Sequence, residues 1–307
     1  MRDHHRTPLL SGFCFYLITK SICLMWLTIC TIGCDDSDQS AEPVLRFSAI
    51  PDQNSTELQE KFGALANYLS EALGVKVQYT PANDYKSSVE RFKNGDIQLA
   101  WFGGLTGVQA RRAVHGARAI VQGEEDPVFF SYFIAHEDTE IKYSDEFPRE
   151  ISEFTFTFGS ASSTSGRLMP EYFIRRYTNR SPSELFEVPP SFSGDHDKTV
   201  ELVEAGQVQV GAVNYMVYDK RVAAGTTDPN VCKIIWKTPQ YADYNFTAHP
   251  VLDRMFGNGF IEKLQAVLIA VDDPNLLLAF PRNALIKATN EDFEAIEQVA
   301  EELGFLR

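Results

Sequence analysis

The stretch FTFTFGSASSTSGRLMPEYFIRRY, residues 154–177, ends a strand-like run at Gly159 and then crowds Ser160, Ser162, Ser163, Thr164 and Ser165 ahead of a predicted helix. Two chemistries are open to such a cluster. A helix N-terminus leaves about four backbone N–H groups without partners and carries roughly half a positive charge, so hydroxyls placed there make an anion site that needs no lysine. Gly166 would let a ligand approach the backbone closely. At about 1.5–3 kcal/mol for each charge-assisted hydrogen bond, five or six donors reach the roughly −8 kcal/mol of a micromolar site. The other chemistry is a serine nucleophile with His196 as base. Spacing speaks against it, because Gly159 is followed by Ser-Ala-Ser-Ser and not by a G-x-S-x-G elbow. No glycine-rich phosphate loop ending in Gly-Lys-Ser or Gly-Lys-Thr occurs either. An ordinary N-cap and turn uses the same residue types, so the cluster alone decides nothing.

The elements that must position it alternate between strand and helix. VLRFSAI is a strand, and the following NSTELQEKFGALANYLSEALG places Leu58, Phe62, Leu65, Leu69 and Leu73 at helical spacing before a Gly74 stop. VKVQYT, IQLAWFG, ARAIVQG and FFSYFIAH read as further strands, with YKSSVERFKNG and a segment opening at Gly104 as helices. A polar break, EDTEIKYSDEFPREISE, precedes a second set: strand FTFTFG, a helix over 165–178, helix HDKTVELVEAG, strand VQVGAVN, helix YMVYDKRVAAG and strand CKIIWKT. From about Phe246 the remainder reads as helical. The two sets echo each other, FKNGDIQLAWFG against VEAGQVQVGAVN. This predicts an α/β chain of two lobes, each a mostly parallel sheet flanked by helices, with a ligand between them at strand carboxyl ends. The expected division is residues 44–135 plus 246–307 for the first lobe and 136–245 for the second.

The first 34 residues differ from the rest. Arg2 and Arg6 precede the apolar SICLMWLTICTIG of residues 21–33, the layout of a secretory signal, and the run is shorter than the roughly 20 residues of a membrane span. Thr31-Ile32-Gly33-Cys34 resembles a bacterial lipobox, which implies a signal peptide over residues 1–33 and lipidation at Cys34. The following Asp35-Asp36 resembles the signal that keeps lipoproteins on the inner membrane of Gram-negative cells. Residues 34–43 then read as a polar tether. The expected location is therefore the periplasm, anchored to the inner membrane by lipid.

Of five cysteines only Cys232 lies beyond Cys34, in the apolar VCKIIWK, so it reads as a small buried hydrophobe. No Cys/His spacing suggests zinc, and no cofactor is expected. Without residues 1–33 the chain carries 25 basic against 41 acidic residues, a net charge of −16, which excludes nucleic acid as a natural partner.

Four further stretches carry a resemblance: ANDYKSSVERFKNGDIQLAWFGGLTGVQA (82–110), GSASSTSGRLMP (159–170), FSGDHDKTVELVEAGQVQVGAVN (192–214) and TPQYADYNFTAHPVL (238–252). In this order they resemble the phosphate/phosphite/phosphonate-binding family of ABC-transporter solute-binding proteins. The WFGGLTG and YADYN variants look most like its selenate-binding branch. The resemblance implies a type II periplasmic binding protein, a monomer that closes two hinged lobes on a tetrahedral oxyanion, delivers it to a permease and its ATPase, and does no chemistry. It also implies site residues. Ser163, Thr164 and Ser165 match the family's Ser-Thr-Ser; Tyr85 matches a phenol on the facing lobe and Tyr132 another; His196 matches a histidine that opens a helix; Asp243 stands where an acid follows the TP turn. Tyr132 within FFSYFIA is equally compatible with core, as are Trp101 and Phe102, and Tyr241 and Tyr244 could line the mouth. Tyr215 and Met216 replace the second acid of aminoalkylphosphonate binders, which favours a compact oxyanion. Gly103-Gly104 replaces the usual Gly-Pro and would leave a second helix N-terminus open. An ionised Asp243 would favour an anion that still carries a proton over selenate or sulfate. The same fold serving a membrane receptor as a sensor is the neighbouring alternative.

Overall fold

The computed structural model describes residues 42–306; the predicted signal, Cys34 and most of the tether lie outside the described residues. Strands are numbered in chain order. The first sheet holds β1 (Val44–Ala49), β2 (Lys76–Tyr79), β3 (Leu99–Phe102), β4 (Arg118–Gly123), β10 (Asn245–Ala248) and β11 (Leu285–Lys287), in the order β11-β4-β10-β3-β1-β2. The second holds β5 (Ser131–His136), β6 (Phe156–Phe158), β7 (Ser191–Phe192), β8 (Val210–Asn214) and β9 (Cys232–Lys237), in the order β7-β6-β8-β5-β9. Both are mixed and not mostly parallel as expected: most strands point one way, but five of the nine pairings are antiparallel. The exceptions are β10 and β11 in the first sheet, and β5, which runs antiparallel between β8 and β9.

Helices α1 (Ser55–Leu73), α2 (Tyr85–Lys93) and α3 (Gly104–Ala113) belong to the first lobe. So do α8 (Val251–Phe256), α9 (Phe260–Ile269), α10 (Pro274–Leu277) and α11 (Glu294–Glu302). The second lobe carries α4 (Met169–Thr178), α5 (Pro182–Leu185), α6 (His196–Glu204) and α7 (Tyr215–Ala223). Helix α1 runs as its pattern predicts: Asn54 caps it by accepting from the N–H groups of Thr56 and Glu57, Gly74 ends it at φ 71°, and its five periodic apolar residues are buried. Phe47, Phe62 and Tyr79 pack together under this helix, and Trp101, Phe246 and Phe280 continue the same core. In the second lobe Phe133, Phe147, Phe156 and Trp236 form the corresponding centre.

Two expectations change. The division after residue 135 falls too late, because β5 pairs inside the second sheet and the chain has crossed before Ser131. The segment from Phe246 is not wholly helical, since β10 wedges between β3 and β4 and β11 adds an edge. These strands span four and three residues, too few for alternation to show.

The echo between the halves is structural. Asp84 caps α2 by accepting from Ser87 N–H, and Asp195 caps α6 by accepting from Lys198 N–H. Each helix ends at a glycine of positive φ, Gly95 and Gly206. Gln98 then accepts from Arg46 N–H and Gln209 from Thr155 N–H, each side chain holding the start of the neighbouring strand. Tyr85 and His196 are therefore the same position in two copies of one unit, the first residue of a capped helix.

Candidate functional site

The lobes touch across their cleft. The His196 N–H donates to the Asp52 carbonyl at 3.1 Å, the Leu105 N–H donates to Thr164 Oγ1 at 3.0 Å, and Lys220 Nζ meets Glu57 Oε1 at 2.8 Å. Between them lies the hydroxyl cluster. Strand β6 ends at Phe158, and the chain then winds into a π-helical turn over Thr164–Leu168 that runs on into α4. The predicted single helix from Ser165 is thus a π turn joined to an α-helix, a distortion that recurs at functional sites. Ser163 caps the turn, its Oγ accepting from Gly166 N–H at 2.9 Å while its carbonyl accepts from Leu168 N–H at 3.0 Å. The first N–H groups of the turn, on Thr164 and Ser165, fall outside its hydrogen-bond ladder. Ser163, Thr164 and Ser165 are all buried.

Gly166 has a different task from the one its flexibility suggested. A Cβ there would stand 3.0 Å from Ser163 Oγ and 3.1 Å from both Gly159 Cα and His196 Cε1. The close neighbours are the protein's own backbone and imidazole, so glycine is needed for internal packing at this turn.

His196 enters from the second lobe, fully buried, with Nε2 3.5 Å from Ser165 Oγ. Its Nδ1 accepts from the Asn214 N–H at 3.3 Å, so Nε2 carries the proton and faces the serine as a donor. Burial lowers the imidazole to about 4 in spite of nearby Asp197, which keeps it neutral. Tyr85 enters from the first lobe, 2% exposed, its hydroxyl without a partner of good geometry. Burial raises that phenol well above its ordinary value, with the Asp52 and Asp243 charges adding to the effect and neighbouring Ser163 opposing it. Asp243, on the second chain crossing, accepts the Gly104 N–H at 2.8 Å through Oδ1, and its buried Oδ2 is unpartnered. Burial pushes this carboxyl up to about 7, against the hydrogen bonds from Gly104 and Thr164. The start of α3 is therefore engaged: Gly104 holds Asp243 and Leu105 holds Thr164.

Six of the residues singled out from the sequence converge: Tyr85, Ser163, Thr164, Ser165, His196 and Asp243. Tyr132 does not join them. On β5 alternate residues face opposite ways, and Tyr132 packs with Phe130, Tyr215 and Tyr218 while its hydroxyl reaches Asp219 on α7 at 3.5 Å. Its neighbour Ser131 takes the inner face, donating to the Ser165 carbonyl at 2.6 Å and lying 2.5 Å from Tyr241 Oη. Trp101 is core, stacked on Tyr244 at 5.7 Å. Cys232 is buried, and burial pushes its thiol up to about 12, as suits an inert packing residue.

The sequence reading passed over several groups. Asp52 lies in the link from β1 to α1 and accepts from Tyr244 Oη at 2.8 Å; that hydroxyl in turn accepts from Asn214 Nδ2 at 3.0 Å. Burial pushes Asp52 up to about 6, against the Tyr244 hydrogen bond and the Arg282 charge. Arg282 is itself buried in a two-pronged contact with Asp126 Oδ1 at 3.0 and 2.6 Å and lies 5.0 Å from the centre of the Tyr244 ring. Burial works against its charge, but the Asp126 carboxylate outweighs this and holds the guanidinium above its ordinary value. The donors that converge on the hydroxyl turn are neutral, while the Arg282 guanidinium is committed to Asp126 and the Lys220 ammonium to Glu57.

Comparison with known proteins gives the family of the chain. Residues 47–293 match the family model described as "ABC transporter, phosphonate, periplasmic substrate-binding protein". The chain is 34% identical over 274 residues to a probable ABC transporter phosphite binding protein, PhnD1, of Prochlorococcus marinus (strain MIT 9301), covering 86% of this chain and 91% of that one. It is 27% identical to the phosphate-import protein PhnD of Mycolicibacterium smegmatis, covering 87% of this chain and 82% of that one. The structure of Prochlorococcus PhnD1 in complex with methylphosphonate superposes with a TM-score of 0.80 at 33% identity, over 85% of this chain and 98% of that one. These relatives are transport proteins, not enzymes. The chain belongs to the phosphonate family of periplasmic substrate-binding proteins of ABC transporters.

Proposed function

We propose that this protein captures a small tetrahedral phosphorus oxyanion, of the phosphite, methylphosphonate or hydrogen phosphate kind, by lobe closure, and delivers it to an inner-membrane permease and its ATPase. We also propose that it does so as a lipoprotein held to that membrane through Cys34. The observation that carries the reading is the convergence of the Ser163–Ser165 turn with Tyr85 and His196, one donor from each copy of the repeated unit. The relatives point to the same class: one is named for phosphite, one for phosphate, and a solved neighbour holds methylphosphonate.

Neutral donors suit a strongly acidic chain, because they hold the anion locally without a long-range attraction that the surface would oppose. Asp243 refines the choice. Above about pH 7, where Asp243 is ionised, its unpartnered oxygen would repel a fully ionised anion but accept a hydrogen bond from one that keeps a proton. Selenate and sulfate are disfavoured on that ground at pH values above about 7. His196 offers Nε2–H to Ser165, so it cannot take the serine's proton as the base that a serine–histidine hydrolase would need.

A thermal-shift panel on the purified protein tests the reading. At about pH 8, methylphosphonate, phosphite or phosphate should raise the melting temperature with the logarithm of ligand excess, and sulfate and selenate should not. Stabilisation by selenate alone would overturn the choice of anion, and no shift with any ion would overturn the function.

A further inference from the structure

Asp52 closes a ring of hydrogen bonds that runs through both lobes. Its carbonyl takes the His196 N–H at 3.1 Å; His196 Nδ1 takes the Asn214 N–H at 3.3 Å; Asn214 Nδ2 donates to Tyr244 Oη at 3.0 Å; and Tyr244 Oη donates back to the Asp52 carboxyl at 2.8 Å. Asp52 belongs to the first lobe, His196 and Asn214 to the second, and Tyr244 to the crossing between them. Such a ring exists only with the lobes together, and parting them returns the carboxyl to water.

The surroundings give this carboxyl little help in holding a charge. It borders a cavity of about 10 Å³, shared with Trp101, Asn214, Lys220, Tyr244 and Arg282, at the lower limit of the roughly 10–15 Å³ that one water needs. Arg282 is bound to Asp126. Lys220 is bound to Glu57 at 2.8 Å and reaches Gln53 at 3.4 Å. Asp197, on the first turn of α6, adds negative charge and is itself paired with Arg221. Tyr79 and Tyr85 face it as neutral phenols. An oxyanion seated at Ser163–Ser165 and Tyr85, whose phenol feels the Asp52 charge, would bring one more negative charge near this carboxyl.

We propose that lobe closure is coupled to uptake of a proton by Asp52, so that this residue makes capture of the anion tighter as the surroundings become more acidic. The inference rests on the cleft being the oxyanion site, but the proton is taken up on closure itself and comes from solvent. Burial shifts the carboxyl upward in the closed form, from an ordinary 3.8 to about 6, and an open form would restore the ordinary value. The closed form therefore gains as pH falls through about 6 and gains no more below about 4. Asp243, shifted from 3.8 to about 7, and His196, shifted from 6.5 to about 4, act over overlapping intervals, so the Asp52 share is the difference between wild type and Asp52→Asn.

The experiment has two arms. In the first, fluorescence energy transfer between labels on the outer faces of the two lobes is followed against pH without ligand. The wild type should close progressively as pH falls from about 6 to about 4, by more than Asp52→Asn does. Tyr244→Phe, which removes the donor to the ionised form, should move this closure to higher pH. In the second, calorimetry with methylphosphonate at about pH 6, in buffers of different ionisation enthalpy, should show Asp52→Asn taking up about half a proton less per ligand than wild type. Identical pH profiles and equal proton uptake in wild type and Asp52→Asn overturn the inference while leaving anion capture intact. If no ion binds, capture fails, and the ligand-free arm still decides the role of Asp52.

Discussion

The backbone N–H of Asn214 points at Nδ1 of His196 across 3.3 Å, and this one contact decides what the imidazole can offer. With Nδ1 accepting, Nε2 keeps its hydrogen, and burial holds the ring at about 4, so it remains a neutral donor at neutral pH. Nitrogen NMR should show the Nε2–H tautomer between about pH 5 and 8, with no titration near 6.5. His196→Ala should weaken oxyanion binding at least tenfold, a loss of about 1.4 kcal/mol. His196→Gln, which retains an N–H donor, should lose less.

Ser163 both caps the π turn and faces Tyr85. Ser163→Ala should reduce affinity about tenfold, as the loss of one hydrogen bond to a charged ligand implies. It should also lower unfolding free energy by about 1 kcal/mol through the lost cap. Titration calorimetry and urea denaturation separate the two effects.

Gly166→Ala tests the packing account of that glycine. The added methyl would meet Gly159 Cα at 3.1 Å, and that backbone has no room to yield because the Gly159 N–H is bonded to the Gly166 carbonyl at 2.8 Å. A destabilisation of about 1–3 kcal/mol is expected by chemical denaturation. Ligand affinity should fall with it, since His196 Cε1 is displaced by the same methyl.

Asp243 gives a signed pH effect. Its folded value near 7 lies above the ordinary 3.8, so the folded protein binds a proton over that interval which the unfolded chain has released. Its contribution is complete below about pH 4 and is lost as pH rises through about 7. The stability of Asp243→Asn relative to wild type should therefore climb between about pH 4 and pH 8, by at most about 4 kcal/mol. Melting curves of both proteins across that range check the slope, and His196, common to both, cancels.

The Arg282–Asp126 pair is a buried charge couple beside the crossing. Arg282→Met should cost about 3–5 kcal/mol by stranding Asp126, whereas Arg282→Met with Asp126→Leu should recover much of the loss. Thermal unfolding of the single and double variants decides it.

The sequence made some of this legible and hid the rest for identifiable reasons. Tyr85 and His196 were found through the family resemblance; the aspartate cap and glycine stop that each shares at equal spacing is a signal the reading left unused. The hydroxyl turn was visible from its composition. Tyr132 was misplaced because FFSYFIAH is apolar on both faces, so alternation could not say which residue looked inward; Ser131 does. Asp52 reads as a turn residue ahead of an N-cap, and only the fold brings Tyr244, 192 positions away, against it. Asp126 and Arg282 are 156 positions apart and carry no local pattern at all. The pairing of β10 with both β3 and β4 is likewise a tertiary fact that four residues cannot announce.

Asp126 and Ser131 flank the first passage of the chain between the sheets, and Tyr241, Asp243 and Tyr244 lie on the second. On the proposed function, the pivot of the molecule and its recognition chemistry are written in the same few residues. A change that retunes which guest is held would then also retune the resting angle of the jaws, so selectivity and gating would evolve as a single trait.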